Sequence, residues 1–133
     1  MMSPESYLFD LLTKELRSRF KGISVYPEEV QTPASFPCVT FTEDNNTVLE
    51  TALTGDGREH AVRLMYSVNV YSNLQTGGKQ QCKEIMDVAD AVLMARGLRR
   101  TMNQPMNNIQ LTIHRRTARY VGTYDENGLM YRR

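Results

Sequence analysis

The stretch HAVRLMYSVNVYSN, residues 60–73, constrains the fold more than any other part of the chain. Val62, Leu64, Tyr66, Val68 and Val70 alternate with Arg63, Met65, Ser67, Asn69 and Tyr71. A period of two sends the first set to one face of a sheet and the second set to the other. The chain therefore needs a sheet with one apolar, covered face and one polar face. At roughly 3.3 Å per residue, twelve residues reach about 40 Å, more than a small core needs. Part of this strand and its partner is expected to project as an arm.

The cover comes from two amphipathic helices. Ser3-Pro4-Glu5 is a helix start, with an N-cap serine, proline at the first helical position and an acid in the first turn. Leu8, Leu11, Leu12 and Leu16 follow at helical spacing, flanked by Phe9 and Phe20, and Gly22 is a suitable stop. The spacing predicts a helix from about Pro4 to Lys21. A second helix is predicted over residues 79–96, where Cys82, Ile85, Met86, Ala89, Val92 and Leu93 form one stripe and Gly97 closes it.

Further strands are predicted at Ile23–Tyr26, CVTFTED (38–44), LRRTM (98–102) and IQLTIHRRTARYVG (109–122). Pro27, Pro33 and Pro37 make the intervening segment an extended loop, and Asn103–Asn108 reads as a turn around Pro105. Asp125-Glu126-Asn127-Gly128 is turn chemistry between Arg119–Tyr124 and Leu129–Arg133, which predicts a terminal hairpin over 119–133. Residues 44–60, with a Gly55-Asp56-Gly57 tip, are expected to form the projecting loop or β-hairpin arm, in which Thr47–Leu53 suits a strand. The fold class is α+β: one domain spanning 1–133, with a mainly antiparallel or mixed sheet and two helices on one face.

Hydrophobic content of 41% and charged content of 23% suit a folded globular chain rather than a disordered one. No apolar run approaches the ~20 residues of a membrane helix. The N-terminus shows neither the basic nor the apolar region of a secretory leader, and none is expected. Cys38 and Cys82 sit in apolar patterns and read as buried thiols. His60 and His114 have no second histidine or cysteine pair at ligand spacing, so no metal site is expected. TGGKQ (76–80) fails as a phosphate loop, because Asn73 stands where the first glycine belongs and Gln80 where Ser or Thr belongs. No catalytic residue and no cofactor is assigned, and the chain is not expected to be an enzyme.

The net charge of +1 hides an asymmetry. Residues 96–133 carry eight arginines against two acids, a net +6, and residues 1–95 carry a net −5. Such a split marks either a nucleic-acid surface or two complementary faces that meet between copies. Against a stand-alone DNA-binding domain, no groove-reading helix is basic, and Glu84, Asp87 and Asp90 lie on the second helix.

The phrases VTFTEDNN (39–46), YSVNVYSN (66–73), GKQQCKEIMDVADAVLMARGLRRT (78–101) and RYVGTYDENGLMYRR (119–133), in this order, resemble the tail terminator and tail-completion proteins of long-tailed, siphovirus-type bacteriophages. The resemblance runs from about Pro37 to the C-terminus. It implies a structural virion protein, assembled in the host cytoplasm, with its place in the tail or neck. Such proteins form a homo-oligomer ring, commonly of six, at the head-proximal end of the tail tube. They stop tube polymerisation and join the tail to the head connector. DNA passes through the ring without sequence-specific binding, and no membrane is involved. The other head-completion and connector proteins of the neck are the alternative reading.

Within that frame, the basic segment is the expected subunit interface or channel surface. Arg99, Arg100, Arg115, Arg116, Arg119, Arg132 and Arg133, interleaved with Tyr120, Tyr124 and Tyr131, have the composition of an interface, where arginine and tyrosine are enriched. Asp44, Asn45, Asn46, Thr47, Asp56, Arg58 and Glu59 of the loop are the expected contacts to a neighbour or to the tube.

Overall fold

The computed structural model describes residues 3–28, 36–48, 61–106, 113–125 and 130–131. Within them the order is α1 (Glu5–Arg19), β1 (Ser24–Tyr26), β2 (Cys38–Val48), β3 (Ala61–Ser72), α2 (Gly78–Ala95), β4 (Arg99–Met106), β5 (His114–Asp125) and β6 (Met130–Tyr131). The strands form one mixed sheet ordered β1-β2-β3-β5-β4, and β6 pairs with β5. Only the β1–β2 pair is parallel. This is the expected α+β class.

The alternating strand is the centre of the sheet. All of β3 from Ala61 to Ser72 is paired with β5, and Val62–Tyr71 is also paired with β2. From Val62 to Tyr71 the strand thus lies between two neighbours, and these pairings leave the expected arm unconfirmed. Asp44–Thr47, expected in the projecting loop or β-hairpin arm, lie in β2, which continues to Val48 with Asn45–Val48 opposite Met65–Val62. Residues 49–60, with Asp56, Arg58 and Glu59, lie outside the described residues. The turn expected at Asn103–Asn108 is also corrected: Asn103–Met106 stay in β4, paired with Arg115–Ala118. Pro105 is accepted there because β4 is an outer strand. The predicted terminal hairpin is present, with Thr123 opposite Tyr131 and Tyr124 opposite Met130.

One face of the sheet holds the core. Val39 and Phe41 of β2, Val62, Leu64, Tyr66, Val68 and Val70 of β3, and Ala118 and Tyr120 of β5 are buried. Leu8, Leu12 and Leu16 of α1 and Cys82, Ile85, Met86, Ala89 and Leu93 of α2 belong to the same cluster. These are the stripes legible at helical spacing, with Leu11 and Val92 half-buried at their margins. Helix α1 begins at Glu5, one residue later than expected, with Pro4 at the cap position. Ser3 Oγ still accepts the Glu5 N–H at 3.3 Å.

Two tyrosines inside the core carry polar tips, and both are satisfied. Tyr66 and Tyr120 are cross-strand partners, flanked by Glu43 of β2 and Arg100 of β4 in the same row. The Tyr66 hydroxyl donates to Glu43 Oε1 at 2.9 Å, and Ser3 Oγ donates to the same oxygen at 2.7 Å. The Tyr120 hydroxyl donates to Asp90 Oδ1 on α2 at 2.8 Å, and Arg100 Nη1 reaches Asp90 Oδ2 at 2.9 Å. Phe41 stacks on Tyr66 with centroids 4.9 Å apart. The ladder is interrupted by a bulge at each end of this row, between Glu43 and Asn45 and between Arg100 and Met102.

Burial, and then the adjacent carboxylates, raise both phenol pKa values well above the ordinary tyrosine range. Burial likewise pushes the Cys38 and Cys82 thiols up to about 11, with Arg116 opposing the shift at Cys82. Both cysteines are free and buried, as the pattern implied. A group whose folded pKa is raised gives its full stabilisation below its unfolded value, here 9.0 for thiols and 10.0 for phenols. Denaturant unfolding followed from pH 7 to pH 11 should therefore show a flat stability up to about pH 9 and a steady loss above it. The paired hydroxyl of Tyr120 makes a second prediction. Asp90→Ala leaves a buried donor unpaired and should cost about 1–3 kcal/mol in urea unfolding. Tyr120→Phe removes the donor itself and should cost less than Asp90→Ala; equal losses would show that the hydroxyl is not desolvated.

Candidate interaction surface

The odd-numbered residues of β3 define the face that the helices leave uncovered. In register with Arg63, Met65, Ser67, Asn69 and Tyr71 are Thr123, Val121, Arg119, Thr117 and Arg115 of β5. Arg99 of β4 lies opposite Val121, and Met102 opposite Arg119. On the other side, Thr47, Asn45, Thr42, Thr40 and Cys38 of β2 complete the rows. Four arginines, from three strands, thus share one face: Arg63, Arg99, Arg115 and Arg119.

Hydroxyls and amides organise this face. Asn69 Oδ1 accepts from Arg115 Nε at 3.1 Å, from Arg115 Nη2 at 2.9 Å and from Thr117 Oγ1 at 2.6 Å. The Arg115 guanidinium also lies over the Tyr71 ring, 5.5 Å from its centroid. Asp44 accepts from Ser67 Oγ, and from Thr42 Oγ1 at 3.1 Å. Asn69, Ser67 and Thr117 are buried, whereas Arg63, Arg99 and Arg119 are exposed. A shallow cleft of about 450 Å³ runs from Asp44 past Ser67 and Asn69 to Arg115 and Arg119. A second, of about 290 Å³, lies between Arg63, Arg99 and Thr123, and Met65 lines both.

The interface residues expected from sequence are not all brought together. Arg99, Arg115 and Arg119 share the uncovered face. Arg100 and Arg116 belong to the opposite face, where Arg100 pairs with Asp90 and Arg116 Nε donates to Asn103 Oδ1 at 2.7 Å. Tyr120 is a correction: expected among the surface tyrosines, it is fully buried. Tyr124 is half-buried against the core, and Tyr131 is in β6. Arg132 and Arg133 lie outside the described residues. Asn45 and Thr47 are exposed on β2, and Asn46 is half-buried opposite Leu64. Arg63 was not among the expected residues, although its place in the alternation signalled a position on the polar face.

The glycines of the TGGKQ stretch have structural work. Gly77 takes φ +79° at the α2 N-terminus, and Gly78 is the first helical residue. A Cβ on Gly78 would collide with the His114 ring, which opens β5. Among the described residues, no group of three or more His, Cys, Asp or Glu is placed to hold a metal ion, and no helix is long and apolar enough to cross a membrane.

Comparison with protein families places the chain among the structural proteins of phage tails. The family model described as Tail completion protein gp17 matches residues 7–126, and the chain belongs to that family. It is thus a virion component that works in contact with other tail proteins. No curated protein sequence matches the chain.

The Gly78–His114 packing is directly testable. Gly78→Ala should destabilise by about 1–3 kcal/mol through overpacking. In a His114→Ala background the same change should be neutral or stabilising, because alanine is the better helix former. A neutral Gly78→Ala in the otherwise native chain would refute the packing.

Proposed function

We propose that this protein is the tail terminator of its phage: a non-catalytic, cofactor-free subunit that closes into a six-membered ring on the head-proximal end of the tail tube. The ring stops tube polymerisation, presents a surface to the head connector, and leaves an opening through which DNA passes. The observation that carries the reading is the match to the tail-completion family over residues 7–126.

The subunit's shape is consistent with ring closure. A head-to-tail ring needs two unlike patches per subunit that meet on rotation. One broad side of the sheet here is covered by helices and the other bears arginines, and the edges differ too, with β1 on one side and β4 and β6 on the other. The net −5 of residues 1–95 and +6 of residues 96–133 supply complementary charge. The terminal hairpin lies on an outer side of β5, where it can dock against a neighbour.

Electron microscopy of the purified protein should show sixfold rings with a central hole, and adding the protein to polymerising tube protein should halt elongation. A strictly monomeric protein that fails to cap tubes would overturn the reading. Arg132→Glu with Arg133→Glu should weaken ring formation; unchanged assembly would remove the hairpin arginines from the interface.

A further inference from the structure

We infer that the uncovered sheet face is a surface for the phosphate backbone of duplex DNA, bound without sequence preference through Arg63, Arg99 and Arg119. The identity of the polyanion as duplex DNA rests on the reading that DNA passes this protein; the existence of the surface rests on its chemistry alone.

Three observations carry it. First, the charge on this face is one-sided. It holds Arg63, Arg99, Arg115 and Arg119 against two acids, Asp44, which accepts from the Ser67 and Thr42 hydroxyls, and Asp125, in register with Ala61 at the strand end, so positive charge is in excess. Second, three of the arginines are exposed and have no ion-pair partner among the described residues, in contrast to Arg100 and Arg19, which pair with Asp90 and Glu15. Third, the ground between them is hydroxyl- and amide-rich, with Thr47, Thr101 and Thr123 at the exposed end. Arginine with Ser, Thr, Asn and Gln donors is the set that contacts phosphates and sugars.

The spacing is also suitable. Strands about 4.8 Å apart and residues about 3.3 Å apart put the Cα atoms of Arg63, Arg99 and Arg119 roughly 8–14 Å from one another. That span is comparable to the ~12 Å width of the major groove, so the three side chains can reach phosphates on either side of it. The face has no basic helix to enter a groove and read bases, so the contact is to the backbone. Arg115, already held by Asn69 and Tyr71, serves as a fixed part of the floor.

The test is fluorescence anisotropy of a 30-base-pair duplex across a salt series, with light scattering on the same samples. The native protein should bind at low salt and lose affinity steeply as salt rises. R63Q/R99Q/R119Q should weaken binding at least tenfold and flatten the log–log salt slope by about two to three. The matched control takes its charges from the exposed helix surface: R17Q/K79Q/K83Q, with the same net change, should stay within twofold. Thermal melts confirm that both variants fold. No binding at low salt, equal losses in the two variants, or displacement by polyglutamate as effective as by unlabelled duplex would each overturn the proposal. A monomer that binds DNA would sink the ring and leave this surface standing; a ring that does not bind would do the reverse.

Discussion

The two buried phenols are the constraint on which the rest of the structure depends. A tyrosine hydroxyl taken into an apolar core must find a partner, and here each finds a carboxylate from a different element. Tyr66 draws Glu43 and, through it, Ser3 at the threshold of α1. Tyr120 draws Asp90 on α2, and Arg100 completes the charge balance from β4. The pair therefore ties α2 directly, and the residue before the α1 cap through Glu43, to the middle of the sheet with directional bonds. The bulges beside Glu43 and Arg100 fall at the same level. A bulge re-aims a side chain, and these two sit where β2 and β4 each turn an ionic group toward the core.

The helix stripes, the central strand and the closing hairpin were legible because each is a local periodicity or a local turn. The corrections have two causes. Tyr120 was grouped with Arg119 because they are adjacent in sequence, yet neighbours on a strand point to opposite faces. Alternation with Ala118 and the apolar set of β3 was the available signal, and it places Tyr120 inside. The same alternation separates Arg115 from Arg116. Asn103–Met106, around Pro105, read as turn chemistry from residue type; pairing with β5, which no local pattern records, keeps them in a strand.

The two faces of the sheet solve different problems. The covered face is apolar at its centre, and its two buried phenols are paired. The uncovered face buries Asn69, Ser67 and Thr117 under their own hydrogen bonds and leaves arginines standing above them. Such a floor stiffens the base of each strand, so the exposed cations project from a surface of defined shape. Their positions follow from the register of β3, β4 and β5, and a slip of one residue would send them into the core.

Pro105 has a consequence for how copies of this chain can meet. It sits in the outer strand β4, whose ladder is already broken by the bulge near Thr101. A proline offers no amide hydrogen, and a bulge spoils the spacing of those that remain. A second chain cannot simply extend the sheet along this border by annealing strand to strand. In the proposed ring, a contact across this border would run through side chains rather than through an added strand.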